Sequence, residues 1–241
     1  MTRPVYLTVL IAAGAALAGC GGGGGGTTLP PPGTTFGLEA AMVALETSGF
    51  QKTASISGSA SVSGVTYPVG GSVTLTLAPI GAPTVFNGQT ALLSSSSFSG
   101  SVSVAGQTLA LSETQQAYLS TSYAPLGYVT SAAYCVAPVP GVVPATVVLG
   151  DSATVVAYDC YSDATLSVPT GSESLSYTIE PGISSTTVTV ALRTRMTDPS
   201  GQQVAVEEDD YLLDTAGALA LQRASLSGTF SGVAMTLQLT F

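Results

Sequence analysis

The alternation of apolar and polar residues changes period once along this chain. From Gly37 to Gly49, Leu38, Ala41, Met42 and Leu45 fall at i, i+3, i+4 and i+7, one stripe of a short helix with Gly49 as its stop. Immediately afterwards the period becomes two. Ala54, Ile56, Ala60 and Val62 alternate with Thr53, Ser55, Ser57, Ser59 and Ser61, which predicts a strand with one buried and one wet face. The same pattern returns at Val73/Leu75/Leu77, Val102/Val104 and Leu109/Leu111. Beyond a proline-rich stretch (Pro138, Pro140, Pro144) it resumes at Val155 to Tyr158, Leu175/Tyr177/Ile179, Val188/Val190/Leu192, Val204/Val206, Leu219/Leu221 and Val233 to Phe241. Asn87-Gly88 and Ala105-Gly106 sit where tight hairpins need positive φ, and Asp198-Pro199-Ser200-Gly201 has Pro at its first corner and Gly at its exit. The expected fold is all-β: a short N-terminal helix plus a large curved antiparallel sheet or a two-sheet sandwich of about ten to twelve strands.

A weak internal echo suggests how such a domain, spanning 37–241, is divided. Gly106-Gln107-Thr108-Leu109-Ala110-Leu111 matches Gly201-Gln202-Gln203-Val204-Ala205-Val206, and each is followed by a Glu and a Tyr-Leu pair. Either 51–134 and 151–241 are two similar halves, or the match reflects common hairpin grammar. In outline the arrangement looks like the half-barrels of periplasmic lipoprotein carriers, which also begin with a helix and continue in long meandering strands.

The front of the chain follows different rules. Residues 1–19 have a basic start at Arg3, an apolar run from Val5 to Leu17 and small residues at the end, the order of a secretory signal. At about thirteen residues the run is short for a permanent membrane span. Leu17-Ala18-Gly19-Cys20 resembles the lipobox of bacterial lipoproteins at every position. That resemblance implies cleavage before Cys20, a diacylglyceryl thioether on its sulfur and acylation of the new amine, so that lipid on Cys20 holds the protein to a membrane. Gly21, rather than Asp, at the second mature position implies export to the outer membrane, with either its periplasmic or its surface face open. Residues 20–36, with Gly21 to Gly26 and Pro30-Pro31-Pro32, read as a tether of flexible glycines and a stiffer polyproline spacer.

Composition narrows the partners. Of 241 residues, 45% are hydrophobic and only 8% charged, so Ser, Thr, Gly and Gln must solvate the exposed faces. The net charge of −9 becomes one unit more negative when Arg3 leaves with the leader, and only Lys52, Arg193, Arg195 and Arg223 remain as cations. Nucleic acid is therefore excluded as a partner, because phosphate affinity comes from clustered Lys and Arg.

The candidate chemistry is sparse. With Cys20 lipidated, Cys135 and Cys160 remain to form a structural disulfide across the proline-rich crossover. They lack the spacing of a redox pair, and two cysteines without histidine fall short of a zinc ligand set. The chain contains no histidine at all, which removes the usual general base and the commonest metal ligand. Gly150-Asp151-Ser152 resembles a hydrolase block that needs a histidine base, and no convincing nucleophile motif accompanies it. Glu207-Glu208-Asp209-Asp210 is the one acidic cluster. On a strand Glu207 and Asp209 share a face, which makes them the calcium candidates, with Asp198 or Asp214 as further oxygen donors; the alternative is a charged edge strand that resists aggregation. Seven tyrosines between Tyr118 and Tyr177 suit rim packing or a binding groove.

Taken together, these features lead us to expect a non-enzymatic, cofactor-free, membrane-anchored lipoprotein of the bacterial envelope. It would act as a binding or structural module for a protein partner, or as a carrier of an apolar ligand. The alternation ending at Phe241 also resembles the terminal signal of barrels embedded in the outer membrane.

Overall fold

The computed structural model describes residues 29–230 and 232–241, so the segment read as a leader, Cys20 and the glycine run lie outside the described residues. The periodic stripe forms α1 (Leu38–Ser48), closed by Gly49, whose φ of 63° and N–H bond to the Leu45 carbonyl end the helix. Then come β1 (Phe50–Val62), β2 (Val65–Leu77), β3 (Pro83–Phe86), β4 (Gln89–Val104), β5 (Gln107–Leu119), β6 (Pro125–Val129) and β7 (Tyr134–Val136). The second run comprises β8 (Ser152–Tyr161), β9 (Pro169–Pro181), β10 (Thr187–Thr197), β11 (Gln203–Asp214), β12 (Leu219–Phe230) and β13 (Val233–Thr240).

The strands pair antiparallel in chain order, except that β2 pairs with β4 and not with β3, and β1 also pairs with β13. Those two extra pairings turn the meander into a closed barrel of twelve strands, with β3 as a short flap on the first residues of β4. Among the described residues, the all-β content and single short helix agree with the sequence pattern. The sheet, however, closes on itself instead of stacking as a sandwich, and closure removes its edges.

Glycine makes part of the closure possible. Gly71 and Gly100 face each other's strands across the β2–β4 seam, and a Cβ at either would sit 2.1 Å from a neighbouring carbonyl oxygen. Only a residue without a side chain lets the two backbones coil together so closely.

The barrel wears its alternation with the apolar face inward. Ala54, Ile56, Val73, Leu75, Val190, Leu213, Leu226 and Leu239 are buried in one cluster, while Ser55, Ser57, Ser72, Ser99, Thr178 and Thr236 stand on the exposed outer face. Hydroxyl pairs such as Thr53 with Thr74 (3.0 Å) and Ser172 with Thr197 (2.7 Å) bridge adjacent strands there. Leu38, Ala41 and Leu45 of α1 join the interior cluster, so the helix stops one mouth of the barrel. Its ends are held by Glu39 N–H donating to the Pro144 carbonyl and by Ile80 N–H donating to the Glu46 carbonyl. Phe36, the last residue assigned to the tether, belongs to the folded body: it exchanges two backbone bonds with Val147 and is 1% exposed.

The wall is lowest at β6 and β7, five and three residues long. Cys135 and Cys160 are directly opposed there on β7 and β8 and are joined by a disulfide, which fastens the 137–151 crossover at its base. The segments matched in the sequence open β5 and β11, which stand six places apart in the strand order, on opposite sides of the barrel.

Candidate functional site

Between α1 and the wall lies a cavity of about 320 Å³. Helical periodicity gives α1 two working faces: Leu38, Ala41 and Leu45 pack into the core, and Glu39, Met42, Val43 and Glu46, again at i, i+3, i+4 and i+7, line the cavity. The opposite side is built from Ser94 and Ser96 of β4, Gln115 and Ala117 of β5 and Tyr128 of β6. Leu175 and Leu192 lie deeper, and Val142 and Val143 of the crossover complete the lining. The rim includes Tyr123, held at φ 63° in the β5–β6 turn. The surface is mainly apolar, with a few polar groups converging on it, which is the usual make-up of a small-molecule site.

Two of those polar groups are distinctive. Ser94 Oγ donates to Glu46 Oε2 at 2.5 Å, yet burial pushes the Glu46 carboxyl up from 4.5 to about 7 against the opposing pull of that bond. Gln115 is 6% exposed and its Oε1 has no hydrogen-bond partner. A buried acceptor left open in a cavity wall is a cost that a bound donor would relieve.

Behind the cavity floor the barrel interior holds acids. Leu175 and Leu192 are in register with Thr194 and Asp209, and Glu207 stands opposite Thr194. Glu207 and Asp209 point inward, each 3% exposed, with Glu207 Oε2 and Asp209 Oδ1 unpartnered. Desolvation first, and then the neighbouring carboxylates, drives both carboxyls well above the ordinary range. Glu173 on β9 is raised to about 7 by burial, partly offset by its hydrogen bond with Tyr128, and its Oε2 is likewise buried without a partner. The Tyr128 ring meets Tyr158 edge-on, 5.4 Å between centroids, and burial followed by the Glu173 charge raises both phenols.

These positions correct the edge-strand reading of the acidic cluster. β11 is hydrogen-bonded on one side to β10 and on the other to β12, so Glu207 to Asp210 guard no edge. Glu208 and Asp210 face outward, where Arg223 forms an ion pair with Asp210. As calcium candidates Glu207 and Asp209 do share a face, but the structure does not bring Asp198 or Asp214 to them. Asp198 accepts from Ser200 and Gln202 in the β10–β11 turn, and Asp214 accepts from Ala216 and Ala218 at the hairpin's other end. Among the described residues the one grouping of three potential ligands is Cys135, Cys160 and Glu173, and its two sulfurs are spent in the disulfide. Asp151 of the Gly150-Asp151-Ser152 block accepts from the Val148 N–H and serves a turn.

The tyrosines divide between two faces. Tyr128 and Tyr158 lie inside, whereas Tyr118 and Tyr134 stack on Phe86 at 4.2 and 5.2 Å under the β3 flap. Reading the sequence missed Glu46, Gln115 and Glu173. The i, i+7 spacing of Glu39 and Glu46 beside Met42 and Val43 was the available signal for the first. Comparison with protein-family models, with curated proteins and with solved structures gives no match for this chain.

Proposed function

We propose that this chain is a lipid-anchored protein of the bacterial envelope whose barrel binds a small, largely apolar molecule without transforming it. The cavity between α1 and the β4–β6 wall carries this reading: it is of ligand size, mainly apolar and fitted with an unsatisfied polar atom. At roughly 30 Å³ per non-hydrogen group, the liquid volume of one water, 320 Å³ accommodates about ten such groups. The hydroxyl-clad outer face argues against a barrel embedded in lipid, which would show an apolar band outward. An apolar interior beneath a Ser/Thr exterior suits a barrel in water, tied to the membrane by lipid on Cys20.

The absence of histidine from the sequence favours binding over catalysis. A role as a docking module for another protein has less support: of the exposed large apolar residues, Val62 and Val65 adjoin across the β1–β2 turn and Val139 and Val142 share the crossover, while Val85, Leu109, Val168 and Ile183 stand on separate segments.

Mass spectrometry of protein extracted from native membranes tests both halves of the proposal. Denatured, the chain is expected to start at a triacylated Cys20; under native conditions it is expected to carry a small molecule lost on unfolding. A chain starting at Met1 with a free Cys20 thiol would sink the anchor. A ligand-free spectrum, combined with failure to take up a probe of about ten non-hydrogen atoms such as 1-naphthylamine, would sink the binding role.

A further inference from the structure

Resting on the reading of this cavity as a binding site, we propose that it selects amphiphiles with a hydrogen-bond-donating head group, an ammonium above all, and rejects those with an anionic head. The lining is one-sided in charge. Its two ionisable carboxyls, Glu39 at the mouth and Glu46 further in, both project from the cavity face of α1, and no Lys or Arg is among the described residues that line it. The remaining cations are engaged or outside. Lys52 Nζ donates to the Leu221 carbonyl, Arg223 pairs with Asp210 on the outer face, and Arg193 and Arg195 are exposed on β10. The groups behind the floor, Asp209, Glu207 and Glu173, add further oxygens and no positive charge.

Head-group choice follows from this arrangement. An ammonium entering beside Glu46 gains a charge-assisted hydrogen bond in a poorly hydrated site, where such bonds are strongest. A carboxylate or phosphate head would give up its water opposite another carboxylate, with no cation to replace the lost hydration. Gln115 is neutral in this choice. Its amide can present either oxygen or nitrogen, so it serves any polar head and fixes depth instead of charge. The unpartnered Gln115 atom shows where the head is expected to sit, and Glu46 decides which head is accepted.

Three ligands with one tail separate the possibilities: octylammonium, octanol and octanoate, each titrated calorimetrically at pH 7.5 into the full mature protein. Octylammonium is expected to bind about tenfold or more tightly than octanoate, with octanol between them. Glu46→Gln is expected to bring octylammonium to within about threefold of octanol while octanol binding persists, which also reports an intact fold. Octanoate binding as tightly as octylammonium, or an ammonium preference unchanged in Glu46→Gln, would overturn the head-group inference and leave the binding site standing. If none of the three binds, the cavity is not a ligand site and the inference falls together with the proposed function.

Discussion

Replacing Glu207 by methionine is expected to stabilise this protein at neutral pH, although it alters one of its most buried side chains. Glu207 is 3% exposed, faces Thr194 and Leu226 across its two neighbouring strands, and leaves Oε2 without a partner. A buried polar group in that position costs about 1–3 kcal/mol in lost hydration. Methionine has nearly the same length and fills irregular apolar space without introducing a new polar atom. In a domain of roughly 200 residues each kcal/mol moves Tm by about 2–4 °C, so the expected gain is about 2–12 °C. Circular dichroism melts at pH 7.5 and pH 5 would measure it. The gain should shrink at pH 5, where the wild-type carboxyl is protonated in the fold and more nearly so in the unfolded chain. A drop in Tm at pH 7.5 would refute the reasoning, because it would mean that a stabilising partner holds this carboxylate.

Three further outcomes follow from the same packing. Glu46 and Glu173 titrate near 7 in the fold, and Glu207 and Asp209 well above their ordinary values. The folded state therefore keeps protons that the unfolded chain releases near 4.5 from the glutamates and 3.8 from Asp209. Stability is fully present below those values and is lost as pH rises through about 7. Melting temperature should accordingly fall from pH 5 to pH 8, and a rising profile would contradict these assignments. The double substitution Cys135→Ala/Cys160→Ala opens a loop of 25 residues and should cost about 3.5 kcal/mol on the chain-entropy model, seen as a lower urea midpoint; an unchanged midpoint would count against it. Gly100→Val forces a side chain toward the Ser72 carbonyl on the closing seam and should cost at least about 2 kcal/mol, whereas a melt like wild type would show that the seam is looser than described.

Most of the local structure was legible because period and turn chemistry are local properties. The α1 stripe, the alternating strands and the positive-φ hairpins at Asn87-Gly88 and Ala105-Gly106 all appear where the pattern placed them. Closure was not legible, because it depends on β2 finding β4 and β1 finding β13 across the length of the chain. Its sequence traces, the strand glycines Gly58, Gly71 and Gly100 on the two seams and the alternation ending at Phe241, also fit an open sheet of ordinary strands.

The inward turn of Glu207 and Asp209 was hidden for a different reason. Both phases of β11 carry apolar residues, Ala205, Tyr211 and Leu213 on one and Val204, Val206 and Leu212 on the other. Alternation alone therefore cannot choose the buried face; pairing with Val188, Val190 and Leu192 does. Glu46 lies off the apolar stripe of Leu38, Ala41, Met42 and Leu45, where helical periodicity alone places solvent-facing residues. Only the wall around the helix converts that face into a cavity lining.

Binding of a small molecule in the cavity beside α1 is open to a direct test. Ala117 lines it on β5, so Ala117→Trp should fill the space, and titration of both proteins with the smaller fluorescent probe 1-naphthylamine compares an open site with a blocked one. Wild type should saturate at one probe per chain, and Ala117→Trp should take up none while melting no lower. Equal uptake by a folded Ala117→Trp variant would place the probe elsewhere and contradict the claim.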